Sequence, residues 1–236
     1  MEHEPKLVIF DVDGTLVDSR SLIVASMDGA FAALGLEPPE TDATLGIVGL
    51  SLYEAMTVLL PDEAEETHRR LVEAYRDAFT DLRRTGDHPE TLFEGARAAL
   101  EALAARPDTV LGIATGKSRR GVDRLFEQQG FESLFMTVQT ADDAPSKPHP
   151  AMVEQAMASV GVEPANTVFL GDSVFDMQMA RAAGARGVGV AWGFQPVDTL
   201  RQAGAGHILG HFNELPPYLD AMWRYGTPER QDERIA

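Results

Sequence analysis

The chain contains no cysteine, which excludes disulfides and thiolate metal sites and permits a reducing compartment without requiring one. No apolar run approaches the length of a membrane span. The first residues, Met1-Glu2-His3-Glu4-Pro5, lack the basic and apolar regions of a secretory signal. A soluble, cytoplasmic protein without membrane partners is therefore expected. Positive charge is also scarce: 20 Lys and Arg face 37 Asp and Glu, for a formal charge of −17. That balance argues against nucleic acid as a partner, because phosphate backbones need a basic stripe. It also means that an anionic substrate must be met by local positive charge. Lysine occurs only at Lys6, Lys117 and Lys147. There is no internal repeat or low-complexity tract, and no signal for the oligomeric state.

What is present suits a sizeable core: 236 residues, 44% of them apolar, fit one large domain or a core with one insertion. The organising stretch is Phe10-Asp11-Val12-Asp13-Gly14-Thr15, directly after the apolar run Leu7-Val8-Ile9. The run reads as a short strand buried on both faces. Alternate side chains on a strand share a side, so Asp11 and Asp13 begin together, and Gly14 permits a sharp turn. Two crowded acids are costly unless a cation or a shared proton relieves them. An Asp-Gly turn with no chemistry is the plainer alternative.

Along the chain, Leu22, Ile23, Met27, Ala30, Phe31 and Leu34 repeat at helical spacing, with Gly35 as terminator. A short helix is expected from Ser51 to Leu60 and a long charged one from Pro61 to about Arg84. Nothing between residues 16 and 90 reads as a strand. Short apolar strands then alternate with helices: 110–114, 134–138, 167–170, 188–191 and 207–209 as strands, with helices at 94–105, 118–129 and 149–160, one ending at Ala183, a weak one after Ala191 and one at 213–223. The pattern predicts an α/β fold, a doubly wound parallel sheet, with an all-helical segment inserted after the first strand. Residues 16–20 and 85–92 would be the linkers.

In such sheets, sites lie at the carboxyl ends of the strands, and four motifs fall there. Ala114-Thr115-Gly116-Lys117 places a hydroxyl and free N–H groups at a helix start, which suits a phosphate or a simple helix cap by Thr115 or Ser118. Lys147 lies among Pro145, Pro148 and Pro150, which restrict the backbone around it. His149 reads as a helix-start residue. Gly171-Asp172-Ser173-Val174-Phe175-Asp176 follows the fourth strand, with Asp176 either returning toward the strand end or capping the helix. Oxygen ligands of this kind suit Mg2+. Arg20 is either a contact to substrate or a surface charge, and Arg119 and Arg120 read as helix surface.

These four motifs, in this order, resemble those of the haloacid dehalogenase-like hydrolase superfamily across essentially the whole chain. The helical insertion and the segment Ala180-Arg181-Ala182-Ala183-Gly184-Ala185 are similar to its phosphoglycolate phosphatase-like branch. The resemblance implies an α/β core at 1–16 and 86–225, a helical cap at 17–85 and a polar tail at 226–236. It implies a phosphoric monoester hydrolase for a small phosphate ester such as 2-phosphoglycolate. Asp11 would be the nucleophile forming an aspartyl phosphate, and Asp13 the acid and base. Thr115, Gly116 and Lys147 would bind phosphate, and Arg20 substrate. Mg2+ would be held by Asp11, the backbone carbonyl of Asp13 and Asp172, with Asp176 as ligand or brace.

Within the superfamily, Asp13 argues against dehalogenation. The absence of lysine from the insertion excludes a Schiff base there, and the absence of histidine from 16–30 argues against mutase activity. Nucleotide, sugar-phosphate and pyrophosphate hydrolysis stay open, as do two other classes, a phospho-accepting receiver and a silent phosphosugar-binding module.

Overall fold

The computed structural model describes residues 4–225; the expectations for the first three residues and for the tail at 226–236 lie outside them. The chain enters through strand β1 (Lys6–Phe10), passes β2 (Val17–Asp18) and forms four helices, α1 (Arg20–Ala33), α2 (Thr41–Gly46), α3 (Leu52–Leu59) and α4 (Glu65–Thr85). It returns through β3 (Thr91–Leu92) and α5 (Ala96–Ala104). Then come β4 (Thr109–Thr115), α6 (Arg119–Gln129), β5 (Thr137–Thr140), α7 (Ala151–Val160), β6 (Thr167–Gly171) and α8 (Val174–Ala182). The chain closes with β7 (Arg186–Val190), α9 (Val197–Ala203), β8 (His207–Leu209) and α10 (Leu215–Tyr225).

Six strands form one sheet in the order β5-β4-β1-β6-β7-β8, every pair parallel. β1 is central, and its alternating side chains feed two cores. Val8 and Phe10 pack with α5, α6 and α10, while Leu7 and Ile9 pack with α7 and α8. All four are fully buried, each worth roughly 1.5–3 kcal/mol. Burial on both faces is why the strand reads as an unbroken apolar run. The helical segment has its own cluster, built from Met27, Phe31, Met56, Leu71 and Tyr75 among others.

Three expectations are corrected. The stretch from 16 to 90 does contain a strand: Val17 and Asp18 pair antiparallel with Leu92 and Thr91. The segments expected as linkers thus meet as a two-stranded ribbon, too short to leave a periodic signal. The third strand of the sheet lies at Thr137–Thr140 rather than 134–138. Phe135 is instead drawn into a ring cluster with Phe10, Phe126 and Phe131, and the polar Thr137-Val138-Gln139-Thr140 suffices for an edge strand. Finally, the long helix begins at Glu65, after a turn at 61–63, and the short helix α2 was not foreseen.

Candidate active site

Asp11 follows β1 directly, its N–H bonded to Leu170 O at 2.9 Å. Gly14 turns the chain with φ of +87°, and a Cβ there would lie 2.2 Å from Asp172 Oδ2. The turn expected at Gly14 is thus required twice, by conformation and by the approach of a second strand end. Asp172, at the end of β6, accepts from Thr15 Oγ1 at 3.2 Å and from Phe194 N at 2.8 Å.

Asp176 resolves its two alternatives by doing both. Its Oδ2 accepts from Asp172 N, Ser173 N and Ser173 Oγ at 3.1, 3.0 and 2.7 Å, completing a capping box with Ser173. Its Oδ1 faces Lys147 Nζ at 2.6 Å. The same ammonium lies 2.8 Å from Asp11 Oδ1, yet that oxygen makes no well-aligned hydrogen bond. Asp11, Lys147, Asp172 and Asp176 are all at least 98% buried.

Electrostatics follow from that burial. Desolvation raises the Asp11 carboxyl from 3.8 to about 6, Lys147 opposing and Asp176 and Asp13 adding. Asp172 is pushed well above the usual carboxylate range by burial, then by Asp176 and Asp11. Burial alone would lower Lys147, but Asp11 and Asp176 raise it.

Carboxylate oxygens of Asp11, Asp172 and Asp176 lie within 4.8 Å of one another. Three buried carboxylates against one ammonium leave a formal charge of −2. An all-oxygen donor set with that excess of negative charge fits a hard divalent cation such as Mg2+.

Asp13 takes a different environment. Its two oxygens accept from Lys117 Nζ at 2.9 and 3.1 Å. Lys117 also meets Glu90 at 2.9 Å, and Glu90 pairs with Arg83 on α4. Phe79 packs against both cations, Arg83 at 4.9 Å and Lys117 at 5.3 Å from its ring centre. Against burial, Asp13 and Glu90 raise Lys117.

Asp11, Asp13, Thr115, Gly116 and Lys117 all line one cavity of about 610 Å3. Ser118, not Thr115, caps α6, which leaves the buried Thr115 hydroxyl at the cavity wall. Gly116 sits where a Cβ would approach Gly49 O and Leu50 O at 2.6 and 2.7 Å. The helical segment therefore closes onto the core at this point. Ser51 N also donates to Ser146 Oγ at 2.8 Å, and Gln195 Nε2 to Gly46 O at 3.0 Å.

Lys147 and Asp172 stand behind that cavity rather than on its wall. Arg20 is not brought to it: it is exposed, lies 5.0 Å from the Phe194 ring centre and reaches Gly193 O at 3.5 Å. His149 sits at the start of α7, its Nδ1 accepting from Ala151 N. Arg120 is exposed on α6, as the sequence reading has it, and also lines the cavity. Sequence reasoning did not find Glu90, Arg83 or the Phe194 amide. Lys117 carried a signal in its rarity and its place beside Thr115-Gly116; the other three carried none.

The fold and the site together define an α/β protein with an acid-rich centre at the carboxyl ends of parallel strands. More narrowly, the chain belongs to the haloacid dehalogenase-like hydrolase family, whose model matches residues 8–190. It is 35% identical to Probable phosphatase IndB of Dickeya dadantii, over 94% of this chain and 96% of that one. It is 30% identical to pyrophosphatase PpaX of Bacillus pumilus, over 88% and 93%. It is 29% identical to a phosphoglycolate phosphatase of Yersinia pestis, over 97% and 96%. Among solved structures, a hydrolase from Pseudomonas syringae aligns with a TM-score of 0.81 at 26% identity, covering 92% of this chain and 99% of that one. The resemblance carried by the four motifs is thereby borne out, and the receiver alternative is not favoured.

Proposed function

We propose that this chain is a Mg2+-dependent phosphatase that hydrolyses a small-molecule phosphate monoester through an aspartyl phosphate. The observation that carries the reading is the pairing of Asp11 and Asp13 on one cavity with different partners: a buried lysine for Asp11, a lysine shared with Glu90 for Asp13. The two carboxylates are thus held in distinct electrostatic settings, which suits two distinct roles.

In the first step an Asp11 carboxylate oxygen bonds to phosphorus and the ester O–P bond breaks. The leaving oxygen takes its proton from Asp13. In the second, Asp13 accepts a proton from the water that attacks phosphorus, and the Asp11–phosphorus bond breaks to release inorganic phosphate. Thr115 and nearby N–H groups at the end of β4 hold phosphate oxygens, and Lys147 offsets charge at Asp11. Bound Mg2+ would supply charge neutralisation between anionic nucleophile and anionic phosphate. Asp11, the Asp13 carbonyl and Asp172 would hold it. Asp176 would brace from behind, since its Oδ2 already accepts three hydrogen bonds and its Oδ1 meets Lys147.

Residues 17–85 would serve as the cap that shuts out bulk water, with 1–16 and 86–225 as the core. Of small esters, 2-phosphoglycolate is the reference substrate, as the name of the Yersinia pestis relative suggests. The test is phosphate release from a panel of esters with and without Mg2+, wild type beside Asp11→Asn. Mg2+-dependent turnover abolished in the variant is expected. Equal turnover by the variant would remove the nucleophile assignment.

A further inference from the structure

The cavity over Asp11 and Asp13 is larger than 2-phosphoglycolate needs. Its volume of about 610 Å3 equals about twenty water-sized units at roughly 30 Å3 each, whereas 2-phosphoglycolate has about nine non-hydrogen atoms. The cavity lies between the helical segment and the core and is about half open to solvent. The loop at 46–51 already rests on Gly116, Ser146 and Gln195, and Arg83 of α4 already pairs with Glu90. The space persists with the helical segment in contact with the core.

Its lining has two characters. Met27, Ile47, Val72 and Tyr75 supply an apolar wall from the helical segment. At the rim stand Arg76 on α4 and Arg120 and Arg124 on α6. None of the three arginines hydrogen-bonds or ion-pairs with any described residue. A lone unpaired surface arginine means little. Three of them facing one cavity from both of its sides, in a chain of net charge −17, form a local positive field where anions collect. The acid on that rim, Asp142, accepts instead from Arg119 N at 2.8 Å.

We infer that the substrate is the phosphate monoester of a bulky, partly apolar alcohol carrying a second anionic group. The apolar part lies on the wall formed by Met27, Ile47, Val72 and Tyr75, and the second anion lies at Arg76, Arg120 and Arg124. The inference rests on the hydrolase reading above and adds the identity of the leaving group. Area against the apolar wall favours the larger alcohol, and guanidinium groups bind carboxylate or phosphate in a fork.

Three probes separate these features: 6-carboxy-2-naphthyl phosphate, 1-naphthyl phosphate and 2-phosphoglycolate. Steady-state kcat/KM is measured with Mg2+ for wild type and for the double variant Arg76→Gln, Arg124→Gln. The expected order is carboxynaphthyl over naphthyl over glycolate, each step at least tenfold. In the double variant the carboxynaphthyl-to-naphthyl ratio falls at least tenfold, a change that a general loss of folded protein would not produce. A kcat/KM for 2-phosphoglycolate equal to or above that for the carboxynaphthyl ester overturns the inference and leaves the hydrolase reading standing. So does an unchanged ratio in the variant. Folded, Mg2+-supplied protein that releases phosphate from none of the three removes the hydrolase reading and this inference with it.

Discussion

The ammonium of Lys117 lies 2.9 and 3.1 Å from the two carboxylate oxygens of Asp13, while its second partner, Glu90, ties it to Arg83 of the helical segment. The proposed acid and base is therefore connected by ion pairs to α4 of the helical segment. Glu90→Gln should destabilise the fold, because Arg83 and Lys117 would lose the charge that compensates them. The cost should sit at the low end of the ~3–5 kcal/mol for breaking a buried pair, since Asp13 still pairs with Lys117. Urea unfolding measures it; a loss under ~0.5 kcal/mol, the size of an ordinary surface substitution, would contradict this account.

Among the described residues, Lys147 is the sole cation in contact with Asp11 and Asp176. Lys147→Met should cost about 3–5 kcal/mol in metal-free protein, because buried carboxylates are left uncompensated. Added Mg2+ should recover part of the stability. Turnover should drop on the order of 10²–10³-fold, as for loss of one preorganised electrostatic group. Unfolding curves with EDTA and with Mg2+, beside initial rates, check all three.

The pH dependence has a definite sign. Asp11 titrates near 3.8 unfolded and about 6 in the metal-free fold. Between those values the native state binds more protons than the unfolded chain, so stability falls as pH rises through the window. Two units amount to on the order of 3 kcal/mol lost by pH 7. Asp172, raised for the same reason of burial, acts in the same direction. Urea unfolding of EDTA-treated protein from pH 4 to 7 should show a steeper fall for wild type than for Asp11→Asn. Parallel curves would mean that Asp11 is not the group responsible.

Gly116→Ala tests closure. A methyl group would press on Gly49 O and Leu50 O, which must move away with their loop. The sheet and its two cores are untouched, so the melting temperature should hold within a few degrees. The kcat/KM should fall at least tenfold, comparable to the loss expected from misplaced groups near the reacting centre. Undiminished kcat/KM would show that the contact at Gly116 does not matter for turnover.

How much of this was written in the sequence depends on the range of each signal. The β1 run, Gly14 and the ordering of four strand-end motifs are local patterns, and all stand in the fold. The strand at 137–140 was misplaced because Phe135 looks like a strand residue yet anchors an aromatic cluster assembled from β1 and α6. Asp176 was ambiguous because capping and the pairing with Lys147 use different oxygens of one carboxylate.

By itself, then, the sequence determined the α/β alternation, the helical insertion and the chemical types gathered at the strand ends, since hydrophobic period and short motifs act over a few residues. Tertiary structure decided which charges meet. Lys117 finds Asp13 across 104 positions and Glu90 across 27, and Arg20, beside the first motif, is turned onto Phe194 instead. Ion pairing depends on distance and burial in space, and neither is carried by spacing along the chain.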